Sequence, residues 1–288
     1  MTHQRLLDIV FARDDAVAIV DMNAHRRLEF TNVRPLAPPP RDATARRAER
    51  APANVRLATS STLGEVVLKL ADEYERTTHR RAARASADVV PVLATATLTQ
   101  ALATRYFPDA NVPADPKLLV LEATPYTLQN DLSRVLATAE DVARLYETLE
   151  RVLDRLAADD VRVRHTDAQP RNIFVRANGT FLLGDFGYSR IPRVEDDAAW
   201  ECAFYNALER YMERWQRRSR QSDSDITPLS AGVVEAINSI FDIDDDENDA
   251  CERIRKRSRL SSVRAQLQRQ QQQRPTTAAD VIARLVHR

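Results

Sequence analysis

Two apolar periodicities divide the chain. In its first part the apolar residues fall in short runs: AVAIV (16–20), LEFTNV (28–33), VRLATSS (55–61), EVVLKL (65–70), VVPVLAT (89–95) and KLLVLEA (117–123). Runs of that length predict β-strands. Residues 1–34 are otherwise mixed in character. Thr62-Leu63-Gly64 separates the third and fourth runs and reads as a hairpin turn. One helix-prone stretch, ADEYERTTHRRAARAS (71–86), interrupts the strands; it is mostly polar and carries little apolar stripe. The period lengthens after Pro125. In TAEDVARLYETLERVLDRLAA, positions 142, 145, 146, 149, 152, 153 and 156 hold helical spacing, and Thr138 with Asp141 forms a start like a capping box. A second strong helix is predicted from about 198 to 215, with Trp200, Phe204, Leu208, Tyr211 and Trp215 on one face. Weaker helices are predicted at 231–241, around 250–268 and at 277–287. Both strong stripes are core faces. The fold class expected is α+β, with a small β-rich part over residues 1–122 and a larger helical part over 123–288.

Three segments fall outside this pattern. PLAPPPRDATARRAERAPA (35–53) combines five prolines with basic residues and predicts a loop-like insert. DIDDDENDA (242–250) is acidic, but lacks the glycine and terminal glutamate of a calcium loop and reads as solvated. QRQQQQ (268–273) is low in complexity and reads as surface.

Composition narrows the class. The chain of 288 residues is 43% hydrophobic and carries 42 basic and 42 acidic residues, as an ordinary globular protein does. Neutrality gives no support to bulk nucleic-acid binding, and the local runs RDATARRAER (41–50) and RWQRRSR (214–220) read as solvated faces. No apolar stretch approaches the ~20 residues of a membrane span. Asp8 and Arg13 interrupt the apolar start, so no secretory leader is predicted. Cys202 and Cys251 fit neither a metal spacing nor a disulfide framework, which favours a soluble protein of a reducing, intracellular compartment. Among the basic residues only Lys69, Lys117 and Lys256 are lysines, and there are five glycines. Where arginine is the default cation, a lysine marks a place that needs a compact charge on a flexible stem.

The chemistry concentrates in RHTDAQPRNIFV (164–175) and GDFG (184–187). Asp167 follows the apolar segment Val161-Arg162-Val163, on a loop leaving a strand. Asn172 lies five residues on and opens the run Ile173-Phe174-Val175. Asn178-Gly179 turns the chain back into residues 180–183, which deliver Asp185. A hairpin of this kind places Asn172 and Asp185 at one end, with Asp167 on the loop before it. Two carbonyl-bearing side chains with a neighbouring carboxylate make a hard oxygen site suited to Mg2+, which takes the rest of its shell from water and phosphate. That points to a nucleoside triphosphate.

H-T-D-A-Q-P-R-N followed by D-F-G resembles the catalytic and metal-binding loops of eukaryotic-type protein kinases. The resemblance implies a bilobal fold, Asp167 as the base for a substrate hydroxyl, Asn172 and Asp185 as metal ligands, and His165 as the structural histidine of the loop. V-V-L-K (66–69) is similar to the family's lysine strand, which implies Lys69 as a phosphate ligand. KLLVLEATPYTLQNDL resembles the fifth strand and hinge, which implies adenine contacts at Glu122, Ala123 and Thr124. RPTTAADVIARL (274–285) resembles the last helix, so the likeness covers about residues 55–288. The implied cofactors are ATP and Mg2+, and the implied partner is a protein substrate; no membrane and no specific nucleic acid enter.

The chain departs from the family in several places. It has no G-x-G-x-x-G, and the insert at 35–53 stands where that loop belongs. Glu75 is the expected helix partner of Lys69. Thr166 replaces the usual Arg and Gln169 the usual Lys, while Pro170 follows the Ser/Thr-kinase pattern. No A-P-E follows Gly187, and Asp197 stands as its replacement acid. The shortened pattern resembles kinases of large DNA viruses more than cellular ones. The reading expected is a Ser/Thr-directed protein kinase. A pseudokinase acting as a binding module is the alternative, followed by a small-molecule phosphotransferase of aminoglycoside or choline type.

Overall fold

The computed structural model describes residues 7–13, 16–21, 26–36, 52–167, 169–189, 210, 211, 214 and 229–241. The architecture is mixed α+β. Seven strands form the first sheet: β1 (Leu7–Arg13), β2 (Ala16–Asp21), β3 (Arg26–Pro35), β4 (Val55–Ser60), β5 (Gly64–Ala71), β6 (Val92–Thr97) and β7 (Lys117–Glu122). They are ordered β1-β2-β3-β4-β5-β7-β6 and close into a barrel where Asp8 of β1 meets Thr97 of β6, the one parallel pairing. Along β4 burial alternates, with Arg56, Ala58 and Ser60 inward, as a strand with one face on the core requires. Gly64, at φ +74°, closes the β4–β5 turn in a conformation that side chains disfavour.

Two elements here go beyond the sequence expectation. β1 was expected only as mixed sequence; its alternation breaks at Ile9-Val10-Phe11, where the register with β2 shifts. A second helix, Gln100–Tyr106, stands where one helix was expected in the whole N-terminal part. Thr99 caps it by accepting the Leu102 amide, but seven residues are too few for a periodic signal.

The helices are α1 (Glu73–Ala85), α2 (Gln100–Tyr106), α3 (Leu132–Val135), α4 (Ala139–Ala157) and α5 (Ala231–Phe241). The capping box expected at Thr138 and Asp141 is present on α4. Its seven apolar stripe residues are all buried, each worth roughly 2 kcal/mol as transfer from water. A second sheet, β8 (Tyr126–Thr127), β9 (Ile173–Val175) and β10 (Phe181–Leu183), lies against α4 in the order β10-β9-β8. The expected strand over 89–95 splits at Pro91: Val90 donates its amide to Leu183 of β10, and β6 starts only at Val92. The split follows from Pro91 having no amide to give a ladder.

Apolar packing joins the two sheets. Leu118 and Val120 of β7 face the barrel core with Phe30, Leu68 and Phe107. Leu119 and Leu121 face the other way, onto Ala71, Val90 and Leu182 of β10. The largest cluster gathers α4, α5, β9 and β10 around Phe186. Among the described residues no helix is long and apolar enough to cross a membrane. Most of the insert (37–51), most of the helix expected at 198–215, Asp197, and the segments 242–250, 250–268 and 277–287 lie outside the described residues.

Candidate functional site

Lys69 sits on β5, paired with Val55 of β4 and Leu119 of β7, so a three-stranded ladder fixes its Cα. The side chain is buried, and its Nζ lies 2.5 Å from Glu75 Oε1 and 2.5 Å from Asp185 Oδ1. Three remote chain segments therefore meet at one ammonium. Glu75 lies in the first turn of α1, whose start is fixed by Asp72 accepting the Glu75 amide at 2.7 Å. Burial works against the charged Lys69, yet Glu75 and Asp185 outweigh it and hold its pKa above the ordinary lysine value. Burial likewise opposes ionised Asp185, but Lys69 and the Gly187 amide hold its carboxyl below the usual range. Burial lifts the Glu75 carboxyl, with Lys69 offsetting part of that rise.

Two of the five glycines flank Asp185 for reasons of space. A Cβ on Gly184 would stand 2.6 Å from the Phe174 ring and 2.9 Å from Val90. A Cβ on Gly187 would stand 3.3 Å from Glu75 Oε2, crowding the carboxylate on which Lys69 rests. Asp185 itself has φ +61°, an uncommon conformation for a residue with a side chain and one found at functional turns.

The loop before the hairpin is held as tightly. A 3-10 turn, Pro170–Asn172, brings the Asn172 side chain back so that Nδ2 donates to the Asp167 carbonyl and to Asp167 Oδ2, both at 2.9 Å. With its amide hydrogens committed, Asn172 has its side-chain carbonyl oxygen as its remaining function. The main chain of Asn172 accepts the Gly184 amide at 2.9 Å, tying this loop to the D-F-G turn. His165 Nε2 donates to the Gly184 carbonyl at 2.8 Å. Burial pushes the His165 pKa down, while that bond, Asp185 and Asp167 pull the other way, which places both carboxylates within electrostatic reach of one imidazole.

Thus Lys69, Glu75 and Asp185 touch, and Asn172 and Asp167 touch. Glu122, Ala123 and Thr124 stand apart: Glu122 pairs with Val66, three residues along β5 from Lys69, or about 10 Å. Thr166 donates its hydroxyl to the Tyr188 carbonyl, joining the loop to the chain beyond D-F-G. Pro170 is buried, and Gln169 is exposed.

Sequence reasoning passed over three residues. Arg171 places Nη2 3.4 Å from Asp167 Oδ2. Arg176 grips the Glu122 carboxylate with two bonds of 2.6 and 2.7 Å, binding the end of β9 to the end of β7. His79 is fully buried, its ring 4.8 Å from the Phe186 ring, and His165 meets the same ring edge-on at 4.9 Å. Only His79 left a signal, since it stands four residues after Glu75 on the same helix face. Among the described residues no group of three or more His, Cys, Asp or Glu could hold a metal by itself. A scan of the chain against protein-family models finds no match, and a search of curated proteins finds none either.

Proposed function

We propose that this protein is a Ser/Thr-directed protein kinase of bilobal architecture, moving the γ-phosphoryl of Mg-ATP to a protein hydroxyl. The observation that carries the reading is the meeting of Lys69, Glu75 and Asp185, drawn from a strand, a helix and a turn, beside the Asp167–Asn172 pair.

The donor set suits Mg2+. Asp185 is held ionised by Lys69, and Asn172 offers a neutral oxygen from a side chain whose nitrogen is already committed. Two protein oxygens leave the remaining positions to phosphate and water, as this cation prefers. When bound, Mg2+ would neutralise charge on the phosphates during transfer. The rest falls to the chain. Lys69, oriented by Glu75, exchanges its contact with Asp185 for phosphate oxygens. Asp167 takes the proton as the substrate hydroxyl attacks phosphorus, the bond to the β-phosphate oxygen breaks, and ADP leaves. Glu122, Ala123 and Thr124 offer backbone groups to the adenine, with Arg176 stiffening that edge. Pro170 supports the Ser/Thr preference.

One observation favours a second reading, a binding module on the same fold. The chain leaves β3 at Pro35 and re-enters at Val55, directly across from Lys69, and no glycine stands between the two. Incubation with radiolabelled ATP and a generic basic protein, with choline and aminoglycosides in parallel, separates the readings. Metal-dependent label on protein is the expected result. Nucleotide binding without transfer would favour the module, and label on a small molecule would overturn both.

The same geometry predicts activity without a phosphorylation switch. Ser189 is 4% exposed, and its amide bonds to Phe186. Thr166, in place of an arginine, offers no cation to a phosphate. Phosphatase treatment is expected to change transfer less than about twofold, because Thr166 leaves its position without a cation to pair with a phosphate. A large loss, restored by rephosphorylation at Tyr188 or Ser189, would refute this.

A further inference from the structure

A second lysine is buried on the same sheet face. Lys117 opens β7 opposite Ala71, two residues from Lys69, and residues directly opposite or two apart in a ladder share a face. Lys117 is 6% exposed. Its Nζ lies 2.6 Å from Asp115 Oδ1, 3.3 Å from Thr97 Oγ1 and 3.7 Å from Glu73 Oε2. Glu73 is the first residue of α1 and also accepts from Arg76 and Thr77. Burial opposes its charge, but Arg76, Thr77 and Lys117 outweigh burial and hold the Glu73 carboxyl below its usual value.

Glu73 and Glu75 are two residues apart on α1, so they leave the helix axis at about 200° to one another. The Glu75 pair and the His79 bond to Val90 hold the helix at two places along its length. A pair at Glu73 adds a contact at its first residue and from a different side. We propose that Lys117 is a positioning residue: through Glu73, with Asp115 and Thr97 steadying the ammonium, it sets the rotation of α1 at which Glu75 reaches Lys69. The two lysines are thus one device, a strand-borne pair that holds the first turn of the helix. It regulates the site by keeping α1 engaged without a partner or a modification. This consequence rests on the phosphotransfer reading; the positioning itself does not.

Amide hydrogen exchange on the full chain, without nucleotide, tests the positioning. Lys117→Met keeps the stem and removes the charge. Because Glu73 is 42% exposed, the lost pair is a modest one, and exchange in the first turn of α1 is expected to rise about fivefold. The strands of the barrel should be unchanged, and Lys117→Arg should restore most of the protection. Where transfer is measurable, Lys117→Met should lower kcat, while nucleotide KM moves less than in Lys69→Met. Unchanged exchange in α1 would overturn the proposal. So would a rise spread evenly over the barrel, because that is loss of fold rather than loss of position. Failure of transfer in the wild-type chain would sink the phosphotransfer reading and leave the exchange result standing.

Discussion

Asp185→Ala is expected to abolish metal-dependent nucleotide binding, whereas Asp167→Asn should leave binding nearly intact and lower transfer by about 10²- to 10⁴-fold. The two carboxylates differ in what holds them. Asp185 lies against Lys69, so its removal takes away an anion for the cation and also unbalances a buried ammonium. Lys69 would then keep only Glu75, whose carboxyl burial already pushes toward the neutral form. Asp167 is bound instead to Asn172 Nδ2 and, more loosely, to Arg171. An asparagine there keeps the shape and can still accept from Asn172, but it cannot take a proton from a hydroxyl. Titration with a fluorescent nucleotide analogue, with and without Mg2+, should therefore separate the variants before any transfer is measured. Equal loss of binding in both would show that Asp167 belongs to the nucleotide site and that its role as base is wrong.

The site was legible in the sequence where its residues lie close along the chain. Asp167, Asn172 and Asp185 belong to one loop and one short hairpin, and the Asn178-Gly179 turn fixes their register, so spacing alone brings them together. Lys69 was legible by rarity in an arginine-rich chain. Glu75 was one of two early glutamates in its stretch, and only the structure, with Asp72 as the cap, shows which of them reaches inward. Contacts between distant half-buried charges leave no such mark. Arg176 is one arginine among many until β9 and β7 are laid side by side. Barrel closure was equally hidden, because one parallel pairing between Asp8 and Thr97 makes it, with no periodicity to announce it. The second helix was missed because seven residues make barely two turns, and its cap, Thr99, is a residue common in any loop. Lys117 shows both sides of the matter: its rarity was visible, but its partner Glu73 was visible only once α1 lay on the sheet.

Between about pH 7 and pH 5 the protein is expected to lose about 2 kcal/mol of stability through His79 alone, and His79→Leu should remove that share of the loss. His79 is wholly buried on α1, its ring against Phe186, and burial pushes its pKa from 6.5 down to about 3. Its Nε2 donates to the Val90 carbonyl at 2.9 Å, and its Nδ1 has no hydrogen-bond partner among the described residues. Lys69 and His165 add to the downward push, while the Val90 bond and Asp185 oppose it. The sign follows from proton counts. Below 6.5 the unfolded chain takes up a proton that the folded chain refuses until about pH 3, so acid favours unfolding across that window. The stabilisation is complete above 6.5 and falls as pH drops, by at most ~1.4 kcal/mol per unit for one histidine. His165, also depressed by burial, adds in the same direction. Glu75, whose carboxyl is raised, works the other way, and Asp185 and Glu73, both lowered, contribute only at more acid pH. Urea unfolding of both proteins at about pH 7, 6 and 5 isolates the effect as a difference of slopes, whatever His79→Leu does to stability at neutral pH. Identical slopes would show that His79 is protonated in the folded chain and that the Phe186 stack does not exclude the charge. The ring that must stay neutral packs against the phenylalanine beside Asp185.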